Sequence, residues 1–177
     1  MSLKVSNNVI PEVVNDYNVY SELDKLIGLA DEVQLPKIKN KTTTVSGMGV
    51  GGDVEAPVPG QFESMEATLK WNHLYSYAAK MLNPNKTIQV TLRAALQSEN
   101  KDGGYTYTGM RIVLGGKPKE LNPGTVKRAS TMDSTTTLEV TRYLIEIDGV
   151  TVVDIDKFAG RYYVDEEDQR EVINALI

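Results

Sequence analysis

Cysteine is absent from this 177-residue chain, histidine and tryptophan occur once each, and phenylalanine occurs twice. Without cysteine there is no disulfide, no thiolate nucleophile and no thiolate-ligated metal. The lone His73, close to Trp71, would have to carry any Ser-His-Asp triad by itself. A zinc site would need three or more carboxylates around it, which the spacing does not supply. No G-x-S-x-G elbow is present. His73 therefore reads as a capping or packing residue, and no catalytic group, metal or cofactor is expected. No apolar run is long enough to cross a bilayer. The start lacks the basic segment and apolar core of a signal peptide, which predicts a chain made and kept in a cytoplasm. The formal net charge is -5, and Arg93, Lys117, Lys119, Lys127 and Arg128 are too scattered to claim a basic groove. Retention of nucleic acid needs clustered positive charge, so binding is not expected.

What is present is strand signal. Hydrophobic residues at 41% and charged residues at 24% are ordinary for a globular protein, and the length suits a single domain over residues 1–177. Met65, Ala67, Leu69 and Trp71 alternate with Glu66, Thr68 and Lys70, a period of two. Ile88, Val90, Leu92, Ala94 and Leu96 alternate in the same way with polar neighbours. Asp102-Gly103 and Asp148-Gly149 are hairpin turns by composition, because both positions of such turns need residues that tolerate positive φ. They predict a hairpin into residues 105–114 and another joining residues 135–147 to 150–155. Residues 25–35 and 38–45 read as two strands kinked apart by Pro36, and residues 1–24 as an extended arm. Leu74, Tyr77, Ala78 and Met81 fall at helical spacing, with Asn72 as a cap and Pro84 as a stop. A second helix is expected near the C-terminus, capped by Asp165, acidic in its first turn, with an apolar stripe of Val172, Ile173 and Leu176. The expected architecture is an antiparallel β-sandwich or barrel with one packed helix and a short C-terminal helix.

Gly47, Gly49 and Gly52 spell G-x-G-x-x-G. That fingerprint cradles a pyrophosphate only when its last glycine opens a helix. Pro57 and Pro59 follow, and proline inside a helix removes a donor and clashes with the preceding turn. Residues 46–60 read instead as one long loop between strands, with Met48 and Val50 as apolar side chains on flexible backbone. Such a loop suits docking against another chain; the alternative is a disordered linker.

Asp154 and Asp156 lie two apart and so share a strand face. They read either as paired carboxylates, holding Mg²⁺ or Ca²⁺ or serving an enzyme, or, more simply, as a solvent-exposed acidic face. Residues 165–168 lack the alternation and glycine of a calcium loop. Tyr105 and Tyr107 suit stacking on a sugar or base, but without basic neighbours they read as core and interface. The ligand-binding alternative, a carbohydrate-binding sandwich using Tyr105, Tyr107 and Trp71, requires these aromatics to be exposed and clustered.

The ordered series of segments resembles a known family. Asn18-Val-Tyr, Lys25-Leu-Ile-Gly, Val33-Gln-Leu-Pro and Ser46-Gly-Met-Gly are followed by Met110-Arg-Ile-Val-Leu-Gly-Gly-Lys-Pro-Lys-Glu-Leu-Asn-Pro-Gly and Leu138-Glu-Val-Thr-Arg-Tyr-Leu-Ile-Glu-Ile-Asp-Gly. This is similar to the major tail tube proteins of contractile-tailed bacteriophages, to R-type bacteriocin tubes and, in fold, to the haemolysin-coregulated protein of type VI secretion. The resemblance implies hexameric rings stacked into a hollow tube, a virion or bacteriocin particle assembled in bacterial cytoplasm. It implies sheath, baseplate and tape-measure partners, and DNA that passes without specific binding. It also implies that residues 46–60 reach a neighbouring ring, with Ser46, Gly47, Met48, Gly49, Val50, Gly51, Gly52, Asp53, Val54 and Glu55 as candidate contacts. Residues 86–97 and 135–147 would be candidates for the lumen wall. Another self-assembling tube or terminator protein is the alternative within this class.

Overall fold

The computed structural model describes residues 9–21, 24–25, 29–47, 51–76, 78, 81–164 and 166–177. Among these residues twelve strands run β1 (Val9–Ser21), β2 (Asp24–Lys25), β3 (Leu29–Gln34), β4 (Asn40–Val45), β5 (Val54–Phe62), β6 (Glu66–Trp71), β7 (Ile88–Asn100), β8 (Tyr105–Asn122), β9 (Ser134–Ile147), β10 (Val150–Asp156), β11 (Arg161–Val164) and β12 (Glu167–Asp168). Every pairing is antiparallel. Ten strands form one sheet in the order β12-β11-β10-β9-β8-β7-β1-β2, with β6 pairing β9 and β3 pairing β6; β4 and β5 form a separate two-stranded sheet.

β9 organises the fold. One of its edges pairs β8 along nearly its whole length. The other is shared: residues 134–139 pair β6 and residues 142–147 pair β10. The period-two reading of β6 holds, since Met65, Ala67, Leu69 and Trp71 are all buried, together with Val90, Leu114, Leu138, Val140 and Ile155. Trp71 Nε1 donates to Thr136 Oγ1 at 3.0 Å, so the buried indole keeps its hydrogen bond. The β6–β9 register sets Glu66 opposite Glu139. Like charges directly opposite are unfavourable. Lys119 pairs with Glu66, while Lys157 Nζ lies 3.4 Å from Glu139, which also accepts from Ser64 Oγ at 2.5 Å.

Both hairpins form, but in the first the left-handed residues are Gly103 and Gly104, with φ of 84° and 99°, one position later than the Asp102-Gly103 pair expected. Asp148 and Gly149 have φ of 51° and 76°, the left-handed pair that the turn demands. Elsewhere the structure departs from expectation. Within the expected arm of 1–24, residues 9–21 form β1, paired with β7 from Val9↔Asn100 to Ser21↔Val90. The stretch 25–35 is divided between β2 and β3, and the next strand starts at Asn40. Of the first helix, Ser76 and Ala78 are helical, Ala78 and Met81 are buried and Leu74 is exposed; Tyr77 lies outside the described residues. The C-terminal helix spans only Glu171–Leu176, with Arg170 at its N-cap and no side-chain cap. Asp165 lies outside the described residues. The helix starts late because Glu167 and Asp168 are taken up in pairing with β11, and the Gln169 N–H bonds Tyr162 O. Its expected apolar stripe faces no core: Val172, Ile173 and Leu176 are exposed.

Candidate assembly surface

The stretch expected as one loop, 46–60, is a connection followed by a strand. β4 and β5 pair from Val45↔Val54 through Thr42↔Pro57, so the connection proper is residues 46–53. Pro57 and Pro59 forbid a helix but suit β5, because a two-stranded sheet leaves positions where no N–H is required. Of the ten candidate contacts, Ser46, Gly47, Gly51, Gly52, Asp53, Val54 and Glu55 are described and all are exposed; Met48, Gly49 and Val50 lie outside the described residues. A Cβ added at Gly47, Gly51 or Gly52 would meet nothing within 4 Å. Close packing within the subunit therefore does not require glycine at these positions.

The tip carries an apolar cross-strand pair, Val45 and Val54, which are 46% and 52% exposed, with Val58 further along β5. The base is anchored. Phe62 meets Tyr162 of β11 edge to face with centroids 4.8 Å apart. Lys39 Nζ pairs with Glu63 Oε1 at 2.8 Å, and the Glu63 N–H bonds Lys39 O. Hydrogen bonding to Glu63 and its charge raise the Lys39 pKa. The Arg170 side chain lies against Gly60, where φ is 75°; an added Cβ would come within 2.3 Å of Arg170 Cδ. A bare backbone at Gly60 thus lets the C-terminal segment close over the hairpin base.

A second exposed region was missed in the sequence. β1 pairs β7 on one side, while among the described residues its other edge pairs only β2, at Tyr20 and Ser21. Val13, Gln97 and Tyr107 form one row across β1, β7 and β8, and Ile10, Glu99 and Tyr105 form the next. Ile10, Val13, Tyr105 and Tyr107 are all exposed, so the core reading of the two tyrosines is overturned. Trp71 is buried elsewhere, so the aromatic cluster required for carbohydrate binding does not form. The signal for β1 was its density of β-branched and aromatic residues: Val9, Ile10, Val13, Val14, Tyr17, Val19 and Tyr20. Edge strands of this length and character are ready to pair with another chain.

The polar face of the large sheet is laced by ion pairs. Arg111 Nη1 meets Glu146 Oε2 at 2.8 Å, and Arg93 lies over the Tyr20 ring at 5.8 Å. Both arginines line an open trough of about 600 Å³ with Asp16, Asn18, Tyr107 and Glu146. Asp154 and Asp156 do share a face, but neither reading of them stands. Asp154 is only 7% exposed, so this is no solvated acidic face. Arg142 lies between the two carboxylates, 3.3 Å from each, and Arg161 Nη1 donates to Asp154 Oδ2 at 2.9 Å. Guanidinium groups stand where a cation would have to sit. Asp156 also accepts from the N–H groups of Phe158 and Ala159, closing the β10–β11 turn. Desolvation is the largest single influence on Asp156 and opposes its ionisation. The Ala159 and Phe158 N–H groups and Arg142 together outweigh it and hold the carboxyl below its ordinary value. Among the described residues no three His, Cys, Asp or Glu side chains gather around a metal-sized site, and no helix is long and apolar enough to cross a membrane. His73 is exposed, with its ring 5.9 Å from that of Tyr75.

Comparison with known proteins separates the remaining readings. The chain is 25% identical over 150 residues to the tail tube protein of Escherichia phage P2, covering 83% of this chain and 86% of that protein. In fold it is similar to the sheath/tube terminator of an extracellular contractile injection system (PVC) in the extended state, with a TM-score of 0.55 and 18% identity. That match covers 77% of this chain and 96% of the other. At 18% identity that match shows the fold alone and does not choose between a tube and a terminator. The family match does, because it covers residues 11–177: the chain belongs to the phage tail tube protein FII family.

Proposed function

We propose that this protein assembles into stacked hexameric rings that form the inner tube of a contractile phage tail or a tail-like bacteriocin, a conduit for DNA or ions. The observation that carries this reading is the exposed hairpin tip on an anchored base. Val45, Val54 and Val58 face solvent in the single subunit, within a sheet of its own. Burying the exposed half of one such side chain contributes about 1 kcal/mol, a gain repeated at every equivalent contact of a ring. In this reading, residues 46–55 meet the neighbouring ring, including Met48, Gly49 and Val50, and the open edge of β1 meets the lateral neighbour. Lateral contacts of this head-to-tail kind close a ring, while axial ones continue without limit. Sheath, baseplate and tape-measure proteins are the expected partners, and the particle is assembled in the host cytoplasm.

The wall of the conduit is the polar face of β7, β8 and β9. On that face Arg111 is paired to Glu146 and Arg142 to Asp154 and Asp156, while Arg93, over the Tyr20 ring, has Asp16 and Glu146 in the same trough, so positive charge to hold phosphate is not clustered. Electron microscopy of the purified protein is the test. Rings or tubes with an open centre are expected; a monodisperse subunit at all concentrations and salts would overturn the reading.

A further inference from the structure

The β4–β5 hairpin is out of step at its base. Asn40 pairs Phe62 and Thr42 pairs Pro57, so residues 58–61 of β5 face the single residue Lys41 of β4. A bulge bends its strand and re-aims whatever lies beyond it. The two sides of this one are held differently. Below it, Phe62 meets Tyr162 and the Glu63 carbonyl accepts from Lys157 Nζ at 3.0 Å. Beyond it, among the described residues, no hydrogen bond or ion pair ties residues 42–57 to anything outside the hairpin.

One side chain from the far end of the chain lies on the bulge. Residues 166–169 and 171–177 are all exposed, and Arg170 between them is partly buried. A Cβ added at Gly60, within the bulge, would come 2.3 Å from Arg170 Cδ and 2.8 Å from its Cγ. A Cβ added at Gly160, in the turn between β10 and β11, would come 3.1 Å from Arg170 Nη1. Both glycines are left-handed, with φ of 75° and 63°. The arginine thus passes between two bare stretches of backbone, one in the hairpin and one in a turn of the large sheet. Shape holds it there rather than bonding. Among the described residues its side chain forms no ion pair, and its Nε is buried without a hydrogen-bond partner. A donor left unpaired in a buried place is unfavourable, so packing is what keeps the side chain in position.

We propose that the bulge at residues 58–61 is a hinge, and that Arg170 is a positioning residue. It is a wedge between Gly60 and Gly160 that fixes the angle at which the hairpin leaves the subunit. The C-terminal segment thereby sets the direction of the Val45–Val54 tip before any neighbour arrives. Fixing the direction in advance removes an ordering cost from association. The hinge and its wedge stand on the subunit's own geometry; their use in assembly rests on the function proposed above.

Spin labels test the wedge. The chain has no cysteine, so Glu55→Cys with Gln89→Cys, both exposed, places one label near the tip and one on β7. In dilute subunits the distance distribution should be narrow, and Arg170→Ala should broaden it several-fold while leaving the melting temperature of the core in place. Arg170→Lys should stay narrow, because Cγ and Cδ, which lie against Gly60, are retained. Gly60→Ala should broaden the distribution by expelling the wedge, and should add nothing further in the Arg170→Ala background. Equal widths for wild type and Arg170→Ala, or additive broadening in the double variant, would overturn the inference. Where the wild type assembles, Arg170→Ala should need several-fold more protein to do so, and an unchanged threshold would overturn the link to assembly. Failure of the wild type to assemble would remove the proposed function and leave the distance measurement to decide the hinge.

Discussion

The β6–β9 seam and the β4–β5 hairpin are both antiparallel pairings of similar length, and they spend their side chains in opposite ways. In the seam, alternate residues from Met65 to Trp71 are buried, and the polar positions are paired across the strands, as Thr68 is with Thr137. In the hairpin, Val45, Val54 and Val58 remain exposed, and its base meets the rest of the subunit at Gly60 against Arg170, at Phe62 against Tyr162 and at the Glu63 carbonyl, which accepts from Lys157 Nζ. An isolated two-stranded hairpin is marginal in water. The difference teaches that the seam holds the subunit together, whereas the hairpin leaves its apolar tip exposed, as the proposed contact with a neighbouring ring requires.

Substitutions should separate the two regions. The largest effect on subunit stability is expected at Trp71→Ala, about 3–5 kcal/mol by chemical denaturation, since it empties core volume and leaves Thr136 without its indole partner. A smaller loss, about 1–3 kcal/mol, is expected for Asp154→Asn, because Arg142 and Arg161 lose a shared carboxylate. Added calcium or chelator should not move the melting temperature of the wild type.

Acid should act on the same side of the comparison. Desolvation, the largest single influence on Glu139, opposes its ionisation, but Ser64, Lys157 and the Met65 N–H together lower its pKa from 4.5. Asp156 is likewise lowered from 3.8. Folded values below the unfolded ones give stability that is fully present well above those pH values and is lost as pH falls through the folded ones. The urea midpoint should therefore hold from neutral pH down to about 5 and then drop, and Glu139→Gln should flatten that drop. The smallest effect on the subunit is expected at Val54→Asp, within about 0.5 kcal/mol, because the side chain already faces water. The same change should abolish long tubes in micrographs, since a charge would be desolvated at the contact without a partner.

Sequence pattern was sufficient where burial imposes a strict period, as in β6 and the start of β7, and where turn chemistry is unambiguous, as at Asp148-Gly149. It was insufficient where pairing decides the state. Residues 9–16 are strand because β7 extends beyond the core to meet them. Residues 54–60 are strand because β4 lies alongside, despite two prolines that read as loop. The acidic segment at 166–168 looked like the first turn of a helix until β11 claimed it. The carboxylates of Asp154 and Asp156 were correctly placed on one face, but their arginine partners come from β9 and β11, at separations that no local motif records. The stretch 46–60, read as one loop, is strand from Val54 onward.

Backbone hydrogen exchange, compared between isolated subunits and assembled particles, tests the central contrast most directly. Exchange reads local opening residue by residue. In the isolated subunit the amides of β4 and β5 should exchange quickly while those of β6, β8 and β9 stay protected. On assembly, protection should rise by orders of magnitude in β4, β5 and residues 46–53 and change little in the seam. Assembled particles in which the hairpin exchanges as fast as in the free subunit would contradict the account.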